Sequence, residues 1–334
     1  MRALLIERHG GAEVLAAVER PLPEPGPGEV RVRVTHVGLN HLDVWVRKGV
    51  PGHHFPLPMV PGSDIVGVRE DTGEAVAVVP FVSCGVCDAC VSGRHDLCRA
   101  YRIRGEGMDG GCQEAVVVPE ASLLPLGALD PAEAASMPLA LLTAWHMLVT
   151  RAKVQVGDTV LVQAGASGVG SFAIQIARLF GARVVATAST DEKRALCRAL
   201  GAEEAWSYEE APRALWGWSG KRGVDIVVEH VGAATWEASV RAAKWGGTVV
   251  TCGATSGHQV SLDLRGLFFK QLSLLGSTMG SMGEMRAAWA AVQRGQLRPV
   301  LDRVLPMSAL GEAHALLENR AVSGKVVVAQ DLRR

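Results

Sequence analysis

Residues 157–190 read GDTVLVQAGASGVGSFAIQIARLFGARVVATAST, and the fold follows from this stretch. Residues 160–163 are a short apolar run, long enough for one buried parallel strand. A glycine-rich turn follows, with Gly165, Gly168 and Gly170. Over residues 171–180, Phe172, Ile174, Ile176, Ala177 and Leu179 recur at helical spacing, and Gly181 predicts the helix stop. Residues 183–188 form a second β-branched run. Strand, glycine turn, helix and strand within about thirty residues make a dinucleotide-binding βαβ unit. Glycines let the backbone approach a pyrophosphate, and the helix N-terminus offers unpaired N–H groups and the positive end of a dipole. The backbone of Gly165, Ser167, Gly168, Val169 and Gly170 is the expected cofactor cradle. The pattern G-x-G-x-x-G falls on Gly165, Ser167 and Gly170, with serine in the middle place, so an ordinary tight turn is the competing reading.

A chain of 334 residues suggests two domains, and a hydrophobic fraction of 48% allows large cores. The 34 basic and 34 acidic residues balance, which argues against binding to nucleic acid or to a membrane surface. The opening MRALLIERHGG has no signal pattern and no apolar run reaches a membrane span, so a soluble cytoplasmic protein is expected.

Upstream of the opening stretch, residues 2–7, 30–37, 64–68, 75–80 and 115–119 read as short strands, spaced as in a small, partly open β-barrel. The run VRVRVTHV alternates, with Arg31, Arg33 and Thr35 on one face. Residues 131–150 read as a helix capped by Asp130 and interrupted at Pro138. Downstream, strands are expected at 224–229, 247–252 and 272–276, with helices at 191–200, 233–244 and 283–294. The alternation runs to about residue 295 and describes a doubly wound parallel sheet, an α/β fold. A helix at 306–319 and a strand at 324–329 complete the chain.

Residues 82–98 contain Cys84, Cys87, Cys90 and Cys98, a C-x2-C-x2-C-x7-C pattern that takes four of the seven cysteines. Tetrahedral zinc wants four thiolates at about 2.3 Å, and a short glycine-containing loop can wrap them round one ion. Four thiolates fill the coordination sphere, so one structural zinc per chain is expected, not a catalytic one. Redox-active cysteines and an iron–sulfur cluster are the alternatives.

The motifs GLNHLDVWVRKG, LPMVPGSDIVG, LTAWHML, VDIVVEHVG and KQLSLLGSTMG, with the cysteine lobe and the glycine turn, resemble the medium-chain dehydrogenase/reductases nearly end to end. That family contains zinc alcohol dehydrogenases and zinc-free quinone oxidoreductases. The resemblance implies a GroES-like domain from residues 1–126 and 299–334 and a Rossmann domain from 127–298. It also places the catalytic Cys–His–Cys zinc ligands of the alcohol dehydrogenases at Asn40, Ser63 and about Leu139. None of these is a good zinc ligand. The hydroxyl relay position is Leu42, and a residual His41/Asp43/Asp64 metal site is the alternative. Without a Lewis acid a plain alcohol has no easy route to an alkoxide, whereas a quinone or enone accepts hydride and delocalises the charge. An NAD(P)H-dependent reductase of quinones, enones or other carbonyl compounds is therefore expected. Asn40 would donate to a substrate or cofactor oxygen, Trp45 would wall the pocket, Asp43 would be a buried acceptor, and Ser63 stands at the lost ligand position. His41 falls where relatives place a basic residue near the cofactor pyrophosphate.

NAD enzymes carry an acid at the end of the second strand, and this chain has Ala188 there, followed by Ser189 and Thr190. Ser189 can donate to a 2′-phosphate and Lys193 can neutralise it, which favours NADP(H) over NAD(H). Tyr208 resembles a residue flanking that pocket in zinc-free relatives. Residues 272–279 read as an apolar edge strand, and the expected assembly is a homodimer or homotetramer. An alcohol or aldehyde dehydrogenase with an unusual site, and a non-enzymatic nucleotide-binding protein of the same fold, are the competing functions.

Overall fold

The structure, a computed structural model, describes residues 1–332. The chain forms two compact units, one of Met1–Leu139, Ser281–Gln293 and Pro299–Arg334, the other of Ala140–Gly280 and Arg294–Arg298. The helices Pro131–Ala135 and Met282–Gln293 therefore pack with the first unit, and not with the middle of the chain to which the sequence assigns them.

The α/β expectation is borne out in the second unit. Its six strands are all parallel, in the order Glu204–Trp206, Arg183–Thr187, Thr159–Val162, Val224–Glu229, Ala243–Thr251, Ser273–Gly276. Counted along the unit this is 3-2-1-4-5-6, the doubly wound arrangement, with the order reversing beside Thr159–Val162. The central strand is paired on both edges, Val160 with Val184 and with Ile226, and Val160, Leu161 and Val162 have at most 2% exposure. That is why its sequence is continuously apolar. The helix Gly168–Leu179 buries Phe172, Ile174 and Ile176, worth about 2 kcal/mol each. Gly181, at φ +80°, ends that segment as expected.

In the first unit the strand Glu29–Gly38 pairs with three others: Ala115–Pro119 along its first half, Asp64–Arg69 along most of its length, and Lys325–Ala329 at its end. Val32 and Val34 are buried while Arg31, Arg33 and Thr35 are half-buried, the alternation expected. A bulge between Val34 and His36 then resets the phase, so that Val37 turns inward.

Several elements differ from the sequence expectation. Leu301–Pro306 is a strand paired with Lys325–Ala329, and the expected helix at 306–319 starts only at Leu310, because Pro306 holds an extended backbone. The expected 233–244 helix stops at Ala242 and passes directly into Ala243–Thr251. The 131–150 helix is three pieces: Pro131–Ala135, Pro138–Trp145 and a π-wound turn, His146–Arg151. Leu15–Glu19, His41–Lys48, Ala211–Trp218 and Leu264–Phe269 form further elements that the reading of the sequence did not include.

The helices His41–Lys48 and Leu310–Glu318 pack on each other, joined by the Arg47–Glu318 ion pair. Beside Arg47 lies His314, fully buried, with no hydrogen-bond partner on either ring nitrogen among the described residues. Burial pushes its imidazole down to about 3 from the ordinary 6.5, and the Arg47 guanidinium adds to the shift. Below pH 6.5 the unfolded chain takes a proton that the folded chain refuses, so stability drains away as pH falls from 6.5 toward 3. Asp43 has the opposite sense, since its raised value contributes stability only at low pH. His314→Leu should therefore lose about 2 kcal/mol less than the natural chain between pH 7 and pH 5, read by urea unfolding.

Candidate active site

Asn40 lies two residues beyond the end of Glu29–Gly38, at the N-cap of the His41–Lys48 helix. Strand register chooses its neighbours. Gly38 pairs with Asp64 on one side and with Val327 on the other, and Leu39 N donates to Val326 O at 2.9 Å. The same antiparallel register, carried two residues further, sets Asn40 opposite Lys325. The side chains close a triangle. Asn40 Nδ2 donates to Asp64 Oδ2 at 2.9 Å, and Lys325 Nζ donates to that oxygen at 2.8 Å and to Asn40 Oδ1. The other oxygen, Asp64 Oδ1, accepts from Leu139 N at 2.6 Å.

Asp64 is fully buried, Lys325 is 4% exposed and Asn40 9%. Taking one partner from such a pair leaves a bare buried charge and costs about 3–5 kcal/mol. Asp43 forms the next layer, accepting from Asn40 N at 2.7 Å and Gly62 N at 2.8 Å. Burial raises its carboxyl to about 6, against the lowering effect of those two amides.

The three positions to which the resemblance assigns metal ligands gather around one carboxylate: Asn40 and Leu139 both bond Asp64, and Ser63 adjoins it in sequence. The Ser63 hydroxyl is buried and has no partner among the described residues. His41 is half-buried with its ring 6.5 Å from that of Trp45, and burial, aided by the charges of Arg320 and Lys325, lowers its imidazole below the ordinary value. His41, Asp43 and Asp64 do not converge as a ligand group, because both Asp43 oxygens are turned to backbone amides. Lys325 was missed by sequence reasoning. Its only signal was a charge at the head of the otherwise apolar run KVVVA.

In the second unit Ser167 caps the Gly168–Leu179 helix, its Oγ accepting from Gly170 N at 3.0 Å and bonding His230 Nε2 at 2.9 Å. The Ser167 hydroxyl is therefore engaged within the protein, and the expected cradle is backbone. A Cβ on Gly170 would sit 2.4 Å from Ala164 O, and one on Gly165 would sit 2.8 Å from both Ala186 Cβ and Cys197 Sγ. Only glycine fits either place, and the bare turn at a helix N-terminus suits a pyrophosphate.

At the end of Arg183–Thr187, Ala188 is buried and Ser189 exposed, while Thr190 caps the next helix by accepting from Lys193 N at 3.3 Å. Arg194, which the sequence reading passed over, reaches Ala188 O at 3.4 Å and pairs with Asp191. It adds a guanidinium beside Ser189 and the half-buried Lys193. Tyr208 is 39% exposed and lines a shallow cavity with Gln163, Thr187, Leu215 and Thr235.

The four lobe cysteines bring their sulfurs within 4.8 Å of one another, and among the described residues no other group of His, Cys, Asp or Glu converges so closely. The Cys84–Cys90 and Cys84–Cys98 separations are 3.8 and 3.5 Å. A tetrahedron with zinc–sulfur bonds of about 2.3 Å has edges of about 3.8 Å, so the donor set fits zinc. The amides of Val86 and Cys87 lower the Cys84 thiol to about 6, while Cys87 beside it is raised to about 11, so the sulfurs hold their protons unevenly. Val86, Val91 and Leu97 are exposed, so the lobe has no apolar core of its own.

Residues 26–128 match the family model described as an alcohol dehydrogenase GroES-like domain, and residues 168–294 match the one described as a zinc-binding dehydrogenase. The chain is 29% identical to a probable quinone oxidoreductase of Schizosaccharomyces pombe, over 97% of this chain and 95% of the relative. A solved NAD-dependent alcohol dehydrogenase is 45% identical with a TM-score of 0.95, covering 98% of this chain and 99% of the other. A crotonyl-CoA carboxylase/reductase, AntE, solved in complex with NADP, is 28% identical with a TM-score of 0.90, covering 98% and 94%.

Two outcomes follow from this geometry. Gly170→Ala forces the turn open against backbone atoms, so NADPH affinity by fluorescence titration should fall about tenfold or more while zinc content stays unchanged. Cys98→Ser removes one sulfur of the four-cysteine donor set, so elemental analysis should find less zinc per chain than in the natural protein, and the lobe should become the first site of proteolysis.

Proposed function

This chain belongs to the medium-chain dehydrogenase/reductase superfamily, and from that premise we propose that it reduces quinones, enones or related activated carbonyl compounds with NADPH and without a catalytic zinc. It is an NAD(P)-dependent oxidoreductase. The observation that carries the reading is the Asn40–Asp64–Lys325 triangle. An amide, an engaged carboxylate and an ammonium hold the place where the resembling alcohol dehydrogenases keep thiolates and an imidazole. Ammonium is no ligand, and its charge opposes a second cation. When bound, the nicotinamide cofactor supplies or takes the hydride. The backbone N–H groups of Gly168 and Val169 would hold its pyrophosphate, the bare Gly165 and Gly170 would let it approach, and Ser167 would fix the turn through its bond from Gly170 N. Ser189, Lys193 and Arg194 would meet a 2′-phosphate, Tyr208 would flank that end, and His41 would lie toward the phosphates.

Asn40 would donate its amide N–H to the acceptor oxygen, Trp45 would bound the substrate, and Asp43 and Ser63 would support the floor of the site. The four-cysteine lobe would carry one structural zinc. The same reading divides the chain into a GroES-like domain, 1–126 with 299–334, and a Rossmann domain, 127–298, bounds from which the compact units differ by taking 127–139 and 281–293 into the first. Leu264, Phe268 and Phe269 are exposed near the edge strand Ser273–Gly276, and a second copy of the chain would cover them. No helix among the described residues is long and apolar enough to cross a membrane, and the enzyme is proposed to work in the cytoplasm.

A second reading, an alcohol dehydrogenase using NAD, is favoured by the 45% identity to the solved NAD-dependent alcohol dehydrogenase. Elemental analysis and a substrate panel separate the two. The first reading expects one zinc per chain, turnover of 9,10-phenanthrenequinone or trans-2-hexenal, and NADPH preferred over NADH by about tenfold or more. Two zincs per chain together with alcohol oxidation by NAD would establish the second reading instead.

A further inference from the structure

The triangle at Asn40 contains more than a substitute for metal ligands. Asp64 has both oxygens engaged, one by Leu139 N and the other by Asn40 Nδ2 and Lys325 Nζ. Asn40 has its carbonyl oxygen held by the Lys325 ammonium and one amide hydrogen on Asp64. Asn40 Nδ2 carries a second hydrogen, and no acceptor for it is found among the described residues. An asparagine amide can ordinarily turn over and exchange its oxygen for its nitrogen. Here it cannot do so without setting NH2 against an ammonium and C=O against a carboxylate.

We propose that Lys325 is a positioning residue for hydride transfer: its ammonium clamps Asn40 Oδ1, so that the amide presents an N–H, and never its carbonyl, to the oxygen of the reacting carbonyl compound. This rests on the reductase reading above and deepens it. In that reaction a hydride bonds to the electrophilic carbon of the acceptor, the π-electron pair moves to oxygen, and the oxyanion later takes a proton from water. The hydride comes from the reduced nicotinamide cofactor, which is oxidised. Negative charge develops on the acceptor oxygen, where a fixed N–H donor stabilises it. The ammonium also draws electron density through the amide, making that N–H a stronger donor. Lys325 thereby returns part of the positive charge that zinc supplies in the metal-dependent branch, through a side chain and not by coordination. None of the groups in the triangle needs to change protonation during the cycle.

The test is a double-mutant cycle between N40A and K325M. K325M alone leaves Asp64 a buried, unpaired carboxylate, so D64N/K325M, which removes both charges, is made beside it. Rates are normalised to the fraction of chains that bind NADPH. K325M, D64N/K325M and N40A should each lower kcat for the best acceptor by about 10- to 100-fold, with the NADPH Kd within about twofold of the natural value. N40A/K325M should be no slower than N40A, because the lysine acts through the asparagine. Losses that multiply in the double variant, or an unchanged kcat in D64N/K325M, would overturn the proposal. A merely structural lysine would lower melting temperature and NADPH-binding fraction and leave the normalised kcat alone. If the natural chain reduces no quinone or enone, the reductase reading fails, and the same variants are read by 4-nitrophenolate binding to the NADP-loaded protein. The proposal then expects K325M and D64N/K325M to bind this oxyanion at least about tenfold more weakly, and equal affinity overturns it.

Discussion

A carboxylate with no exposure must draw every hydrogen bond from the protein, and Asp64 draws its bonds from three distant parts of the chain: Asn40, Leu139 and Lys325. Residue 40 and residue 325 meet at one oxygen because the final strand, Lys325–Ala329, pairs with the end of Glu29–Gly38. Releasing the lysine would leave a buried charge unpaired, at about 3–5 kcal/mol. Closure of the first unit's sheet and integrity of the polar triangle are therefore one constraint. In the proposed reductase the same constraint would set the chemistry, since an ammonium and an amide offer N–H donors where a metal site would offer a Lewis acid.

The second unit solves its problem by other means. Its glycine turn, the proposed cofactor cradle, is kept open by the steric demand for glycine at positions 165 and 170 and oriented by the Ser167 cap. The switch in strand order lies beside Thr159–Val162, and Ser167 and His230 follow the two strands that flank it. Beneath the turn, Thr187 donates to Gln163 and Gln163 to Ser239, which in turn donates to the buried Glu229. That chain of hydrogen bonds ties the carboxyl ends of three neighbouring strands together without using any group the turn presents outward.

Legibility in the sequence tracked how local the controlling physics was. The parallel sheet was readable because strands buried on both faces are continuously apolar and the helix between them repeats at 3.6 residues. The cysteine lobe was readable because four ligands within 84–98 close on themselves with no help from elsewhere. The alternation of 30–37 was readable only as far as the bulge at Val34 and His36. Leu301–Pro306 escaped because it is an edge strand with polar residues on both faces, LDRVLP, and its pairing partner lies two dozen residues away. The helix His41–Lys48 escaped because its 8 residues give only about two turns over which a helical repeat can show.

Within the candidate site the same rule holds. Asn40 and Ser63 stood out because their neighbours resemble a family motif, and their place in the chain announced what was missing. Lys325 and Arg194 did not stand out, since a lone basic residue beside a strand or on a helix is ordinary until its partners are known. The sequence by itself determined the parallel sheet with its glycine turn and the four-cysteine lobe, because each depends on residue type at short spacing. Only the tertiary structure decided what surrounds Asn40 and Ser63. Strand register across 285 residues brings Lys325 to Asn40, and no local pattern encodes a register between segments so far apart.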